Sequence, residues 1–201
     1  MAIRALPRME AYIAALPAGL DSYPTCKQKG SLTRLWVAEM PLAAHLQLLP
    51  PDLRTLVEQP PLASAWVPEV HANALYLAAS DLLFPREDDF VECIYRLDVK
   101  LFQSPLYRAI TLIASPASFL RGLELGWKLF RRGQHIAITT TSPTSLRIRV
   151  TWPPLVTPML IARCVGTGFR AAAEATGTVT GLKADLTEFD RTTAVYDISW
   201  R

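Results

Sequence analysis

His135-Ile136-Ala137-Ile138-Thr139-Thr140, Ser142-Pro143-Thr144-Ser145 and Leu146-Arg147-Ile148-Arg149-Val150-Thr151-Trp152 together decide the fold. The outer two runs alternate apolar and polar residues with a period of two, the pattern of half-buried strands. The middle run is rich in the residues that turn a chain. The spacing predicts an antiparallel hairpin with Leu146, Ile148, Val150 and Trp152 on one face, ended by Pro153-Pro154. Downstream, Met159, Arg163, Gly166 and Arg170 mark a helical period over 156–176, with Leu160, Val165 and Phe169 as apolar bulk and Gly177 beyond its end. Residues 179–186 and 193–200 read as two closing strands joined through Glu188-Phe189-Asp190-Arg191.

Upstream of the hairpin the period is helical. Prolines at 41, 50, 51, 60, 61 and 68 keep the first elements short. Helices are expected at 4–16, 32–40 with Ser31 as N-cap, and 51–58. A longer helix runs from Pro68 to Pro85, with Val70, Ala74, Leu77 and Ala78 on one face. Another begins at Asp88-Asp89, carries Phe90, Ile94, Leu97 and Leu101, and stops at Pro105. Residues 107–114 are apolar enough to be buried. Ser115-Pro116 opens a last helix with Phe119, Leu123, Trp127 and Leu129 or Phe130, its final turns basic through Lys128, Arg131 and Arg132 before Gly133. Helices followed by β-β-α-β-β define an α+β fold, an antiparallel sheet with helices packed on one face. Residues 1–65 are expected to form a Pro-rich helical extension and 66–201 the α+β domain.

Composition sets limits. Of 201 residues, 50% are apolar and 19% charged, with 21 basic against 18 acidic side chains, which is globular and not disordered. No charge-free stretch reaches the roughly 18 residues of a membrane span, and Arg4, Arg8 and Glu10 break any signal-peptide core. A cytoplasmic protein is expected. Cys26, Cys93 and Cys164 are odd in number and far apart, which speaks for buried thiols and against a disulfide framework or zinc site. The basic groups are too sparse for nucleic-acid binding.

The chemical constellations are weak. Glu69, His71 and Asp81 lack metal-ligand spacing and read as capping or hydrogen-bonding groups. Glu87, Asp88 and Asp89 read as a helix start. Nucleophile elbows and phosphate loops are absent, and Gly166-x-Gly168 sits inside a helix, not after a strand. No catalytic residue is assigned, and the chain is expected not to be an enzyme. Phe119, Trp127, Phe130 and Trp152, with His135 or Arg147 as polar anchor, form the candidate ligand pocket, although the same aromatic residues could simply fill a core. Small residues on the long helix, Ala162, Gly166 and Ala173 beside Phe169, suit close packing or a dimer contact.

Leu82-Leu83-Phe84-Pro85, Gly133, 146–154, Gly166-Thr167-Gly168-Phe169 and Tyr196-Asp197-Ile198-Ser199-Trp200 carry a resemblance over about residues 70–201. The chain resembles a bacterial paralogous family of unknown function in the haem-NO-binding/TRAPP-like superfamily, which also holds four-vinyl-reductase domains. Ser64-Ala65-Trp66-Val67-Pro68-Glu69-Val70-His71 looks like a family signature without evident chemistry. The resemblance implies an α+β ligand-binding fold, a regulatory or scaffolding role and a homodimer, and it makes lipid or redox modification of Cys164 conceivable. Haem sensors of that superfamily carry a proximal His on a helix and a Tyr-x-Ser-x-Arg motif. Here Ser145-Leu146-Arg147 keeps the last part, Pro143 replaces the Tyr, and His71 is not at a convincing spacing. The expectation is therefore no cofactor, haem included. The expected partner is a small apolar ligand or a protein, with a filled-core dimeric scaffold as the alternative.

Overall fold

The computed structural model describes residues 6–104, 107, 116–177 and 181–201, with the side chains of 116–121 and 125 excepted. Helix α1 (Pro7–Ala15) starts on a proline, whose missing N–H costs nothing in a first turn. Its free N–H groups at Arg8 and Met9 donate to the Asp81 carboxylate at 3.0 and 3.2 Å, and the Arg8 guanidinium pairs with the same group. Asp81 is thus a cap supplied from another helix. Strand β1 (Lys27–Lys29) leads directly into α2 (Gly30–Glu39). That helix begins before Ser31, whose hydroxyl instead meets that of Tyr107 at 2.9 Å, correcting the expected N-cap. Helix α3 (Pro51–Glu58) lies where its prolines placed it.

Strand β2 (Trp66–Pro68) opens α4 (Glu69–Leu83), and α5 (Glu87–Gln103) follows with three acids in its first turn. The stretch 108–115, most of the expected buried segment, lies outside the described residues. Helix α6 (Pro116–Phe130) ends at Arg131-Arg132, which form strand β3 and do not continue the helix. Strands β2, β1 and β3 make a small antiparallel sheet. Gly133 follows with φ +73°, and a Cβ there would stand 2.7 Å from Cys26 Sγ, so only glycine fits.

The hairpin forms as expected from β4 (His135–Ser142) and β5 (Ser145–Thr151). Helix α7 (Met159–Glu174) starts three residues later than the periodicity suggests, because Pro158 serves as its N-cap residue. Strands β6 (Lys183–Phe189) and β7 (Thr193–Ser199) complete a four-stranded antiparallel sheet of order β4-β5-β7-β6. One face is polar, with Arg147 gripping Asp197 through two bonds of 2.7 and 2.9 Å. The other buries Leu146, Ile148, Val150, Tyr196 and Ile198 under α7, which confirms the α+β architecture. The first 65 residues share the helical core: Leu6, Met9, Trp36 and Leu53 pack with Val70, Leu75, Ile161 and Cys164.

Candidate functional site

Helix α7 touches the sheet with one side and α5 with another. Its Tyr196-facing side is tight: the Tyr196 hydroxyl donates to the Ala162 carbonyl at 2.8 Å, and Gly166 lets the ring lie against the helix. Ala162, Gly166, Phe169 and Ala173 are all buried inside this one chain. They serve close packing against the sheet and present no free dimer face.

Where α2, α4, α5, α6 and α7 meet, they leave a cavity of about 390 Å³, within the range of small-molecule sites. Trp36, Tyr76, Phe102, Tyr107, Trp127, Phe130 and Phe169 supply its aromatic walls. Gly122 and Gly126 on α6 and Gly168 on α7 leave out side chains that would narrow it. Tyr107 stacks on Phe130 with centroids 5.2 Å apart, and Trp127 lies 5.7 Å from Phe169.

Three polar groups join this wall. Asp98, on α5 one turn after Ile94, has only a weak bond of 3.4 Å from Thr167. Burial pushes its carboxyl up to about 8, so at neutral pH it is mostly a neutral acid. Cys164 on α7 is buried, and burial together with nearby Asp98 holds its thiol well above the usual range. Arg131, after α6, is nearly enclosed and pairs with the fully buried Glu69 at the start of α4. Burial lowers the Arg131 guanidinium to about 10. One oxygen of Glu69 has no hydrogen-bond partner among the described residues.

Of the sequence-derived pocket residues, Trp127 and Phe130 line this cavity. The side chain of Phe119 lies outside the described residues. Trp152 packs against Phe189 and donates to the Arg191 carbonyl at 3.2 Å, on the sheet side of the molecule. His135 is exposed at the start of β4, and Arg147 is spent on Asp197 across the polar face of the sheet. Neither is among the cavity residues. Trp36, Tyr76, Asp98, Arg131 and Cys164 were missed. Asp98 did leave a signal: it shares the face of Ile94 and Leu101, where a carboxylate breaks an apolar stripe.

No protein-family model matches the chain, and no curated protein matches it. Solved structures do. One concerns the modulation of heme redox potential through protein-induced porphyrin distortion; it is 8% identical, covering 85% of this chain and 99% of its own, at a TM-score of 0.54. A mutant T. tengcongensis H-NOX is 9% identical over 86% of this chain and 97% of its own, at 0.52. An oxygen-binding H-NOX domain related to soluble guanylate cyclases, in its oxygen complex, is 9% identical over 86% and 95%, at 0.51. At these identities the likeness is one of fold. The chain has an H-NOX-like α+β fold, and nothing in this likeness reaches the narrower bacterial family.

This finding overturns the expectation of no cofactor, because solved structures that share this fold are described by their heme. The donor set shows how such a group fits here. The aromatic walls are of the kind on which a flat apolar group stacks. None of His45, His71 and His135 lines the cavity. Cys164 offers a sulfur, a donor type that holds haem iron in other proteins once deprotonated, while the Arg131 guanidinium is already taken by Glu69. The Tyr76 hydroxyl is held by Gln28, and that of Tyr107 by Ser31. The fit therefore runs through the walls and the thiol, and not through an imidazole.

Proposed function

We propose that this chain is a non-enzymatic sensory module that holds a flat, largely apolar ligand in the cavity between α2, α4, α5, α6 and α7, with haem the first candidate. The cavity carries the reading: about 390 Å³ of space walled by aromatic rings beside a tightly packed sheet is the form of a binding site rather than a filled core. The H-NOX-like fold supports it. In this reading Cys164 would be the donor to the metal, and the rings of Trp127, Phe130 and Phe169 would hold the macrocycle and exclude water. Bound haem supplies an iron centre for a small gas. The module is cytoplasmic and passes its state to a protein partner or to a second copy of itself.

Titration of the purified chain with hemin, read by visible absorption alongside native mass spectrometry, tests this. The expected result is a saturable one-to-one complex, or a discrete ligand mass retained from the cell. Cys164→Ser should move the absorption band, and Gly126→Phe, which places a ring in the cavity, should abolish binding with the fold kept. A bare native mass together with no hemin uptake sinks the reading.

A further inference from the structure

We propose that the outer face of the three-stranded sheet docks the protein onto an anionic lipid surface. In this sheet Lys27 pairs with Pro68 on one side and Arg132 on the other, and Lys29 pairs with Trp66. Residues paired in register share a face. Gln28, Val67 and Arg131 therefore form the inward row, and Gln28 and Val67 are buried. Lys27, Lys29, Trp66 and Arg132 form the outward one. The Arg132 guanidinium lies 3.9 Å and the Lys29 ammonium 4.7 Å from the Trp66 ring centroid. The ring fixes two cations in place instead of offering itself to a nucleic-acid base.

No described carboxylate pairs with Lys27, Lys29 or Arg132. Glu69, which follows Pro68 directly, is fully buried and given to Arg131. Like charges directly opposite each other, as Lys27 and Arg132 are, cost stability. A folded chain that keeps them without a counterion presents them to an anionic partner.

The apolar residues at one end of the face choose among such partners. Gly30, just past Lys29, takes the carbonyl of Ala65, and Ser31 that of Ala63. This brings the preceding loop, with Leu62, to the Gly30 end of the sheet. On the other side β3 runs antiparallel to β1, so α6 approaches the same end and lies against β1. Leu62 is 70% and Leu129 53% exposed, the two most exposed large apolar side chains described. Exposed leucines at the end of a cationic face suit a headgroup layer with hydrocarbon beneath it, whereas a purely acidic peptide is met by the cations alone. Leu129 also belongs to the cavity wall, so docking would set the cavity beside the lipid. That adjacency rests on the cavity reading; the docking does not.

Flotation with phosphatidylcholine vesicles, with and without phosphatidylserine, tests it on the full chain. The wild type should float only with phosphatidylserine and lose binding as salt rises. Charge reversal by Lys27→Glu with Arg132→Glu should weaken binding by about tenfold or more, while Lys183→Glu, on the other sheet, should change it little. Leu62→Ser with Leu129→Ser should weaken it several-fold and leave the salt dependence intact. Should the reversal variant lose its far-ultraviolet circular dichroism, Lys27→Gln with Arg132→Gln takes its place. Equal binding to both vesicle types, no binding by folded wild type, or insensitivity to the charge variants overturns the proposal. So does capture of a polyglutamate peptide without vesicle binding, which would assign the face to an acidic protein.

Discussion

Gly166 and Gly168 stand two residues apart on α7 and face two different interiors. A Cβ on Gly166 would meet the Tyr196 ring at 3.2 Å, whereas one on Gly168 would meet the Asp98 carboxylate at 3.5 Å, in ordinary contact. The first glycine belongs to a core with no spare room, where Ile148 and Tyr196 are fully buried and Val150 nearly so. The second belongs to the cavity wall. One helix thus anchors itself to a rigid sheet and leaves space toward the other helices. A ligand module needs that combination, since a pocket keeps its shape only where one wall does not move.

The comparison breaks most readily at the sheet. Ile148 is fully buried under α7, so Ile148→Ala should cost about 4 kcal/mol, through lost burial and an unfilled cavity. Equilibrium denaturation reads this directly. The same loss beside the existing cavity should be smaller, because a wall already lacking contacts has fewer to lose; Ile161→Ala is the paired test. Equal costs would contradict the distinction between the two interiors.

The next effect is electrostatic and belongs to the cavity side alone. The folded chain raises the Asp98 carboxyl to about 8, well above the roughly 3.9 of an unfolded chain. Between these values the folded state keeps a proton that the unfolded state has released. Stability should therefore fall as pH rises from about 4 toward 8 and level off above, by at most about 1.4 kcal/mol per unit. Water entering the cavity screens the group, so roughly 3 kcal/mol between pH 5 and 8 is the expected size. Asp98→Asn should flatten that slope, and denaturant midpoints across the range would show it. A slope unchanged in the variant would mean that Asp98 is ionised in an open, wet site.

How much of this was legible in the sequence follows from the same contrast. The sheet was legible because the alternation of Leu146, Ile148 and Val150 with Arg147 and Arg149 is a local signal, and the partner strand 193–200 repeats it. The cavity was not, because it is the space left where five helices fail to meet. Trp127 and Phe130 do line it, but Trp152 went to the sheet side and Arg147 to Asp197, since periodicity gives a face and not the identity of what covers it. The basic end of α6 misled in a similar way. Arg131-Arg132 reads as a helix terminus, yet pairing with Lys27-Gln28, a contact distant in sequence, draws it into a strand. The stretch around Trp66 gained its meaning only there, as the third strand of that sheet and the seat of Glu69.

The smallest effect sharpens the comparison most, because it uses one substitution at two places on one helix. Replacing glycine by alanine inside a helix gains roughly 0.5–1 kcal/mol wherever the new methyl fits. At Gly168 it fits, so Gly168→Ala should stabilise by about that amount. At Gly166 the methyl must push the Tyr196 ring, whose hydroxyl is held by Ala162 and whose surroundings are full. Overpacking of that kind costs about 1–3 kcal/mol, which outweighs the helical gain, so Gly166→Ala should be net destabilising. Thermal melts of both variants should then move in opposite directions. Two upward shifts would mean that the sheet side of α7 holds slack and that the rigid wall assigned to it is not there.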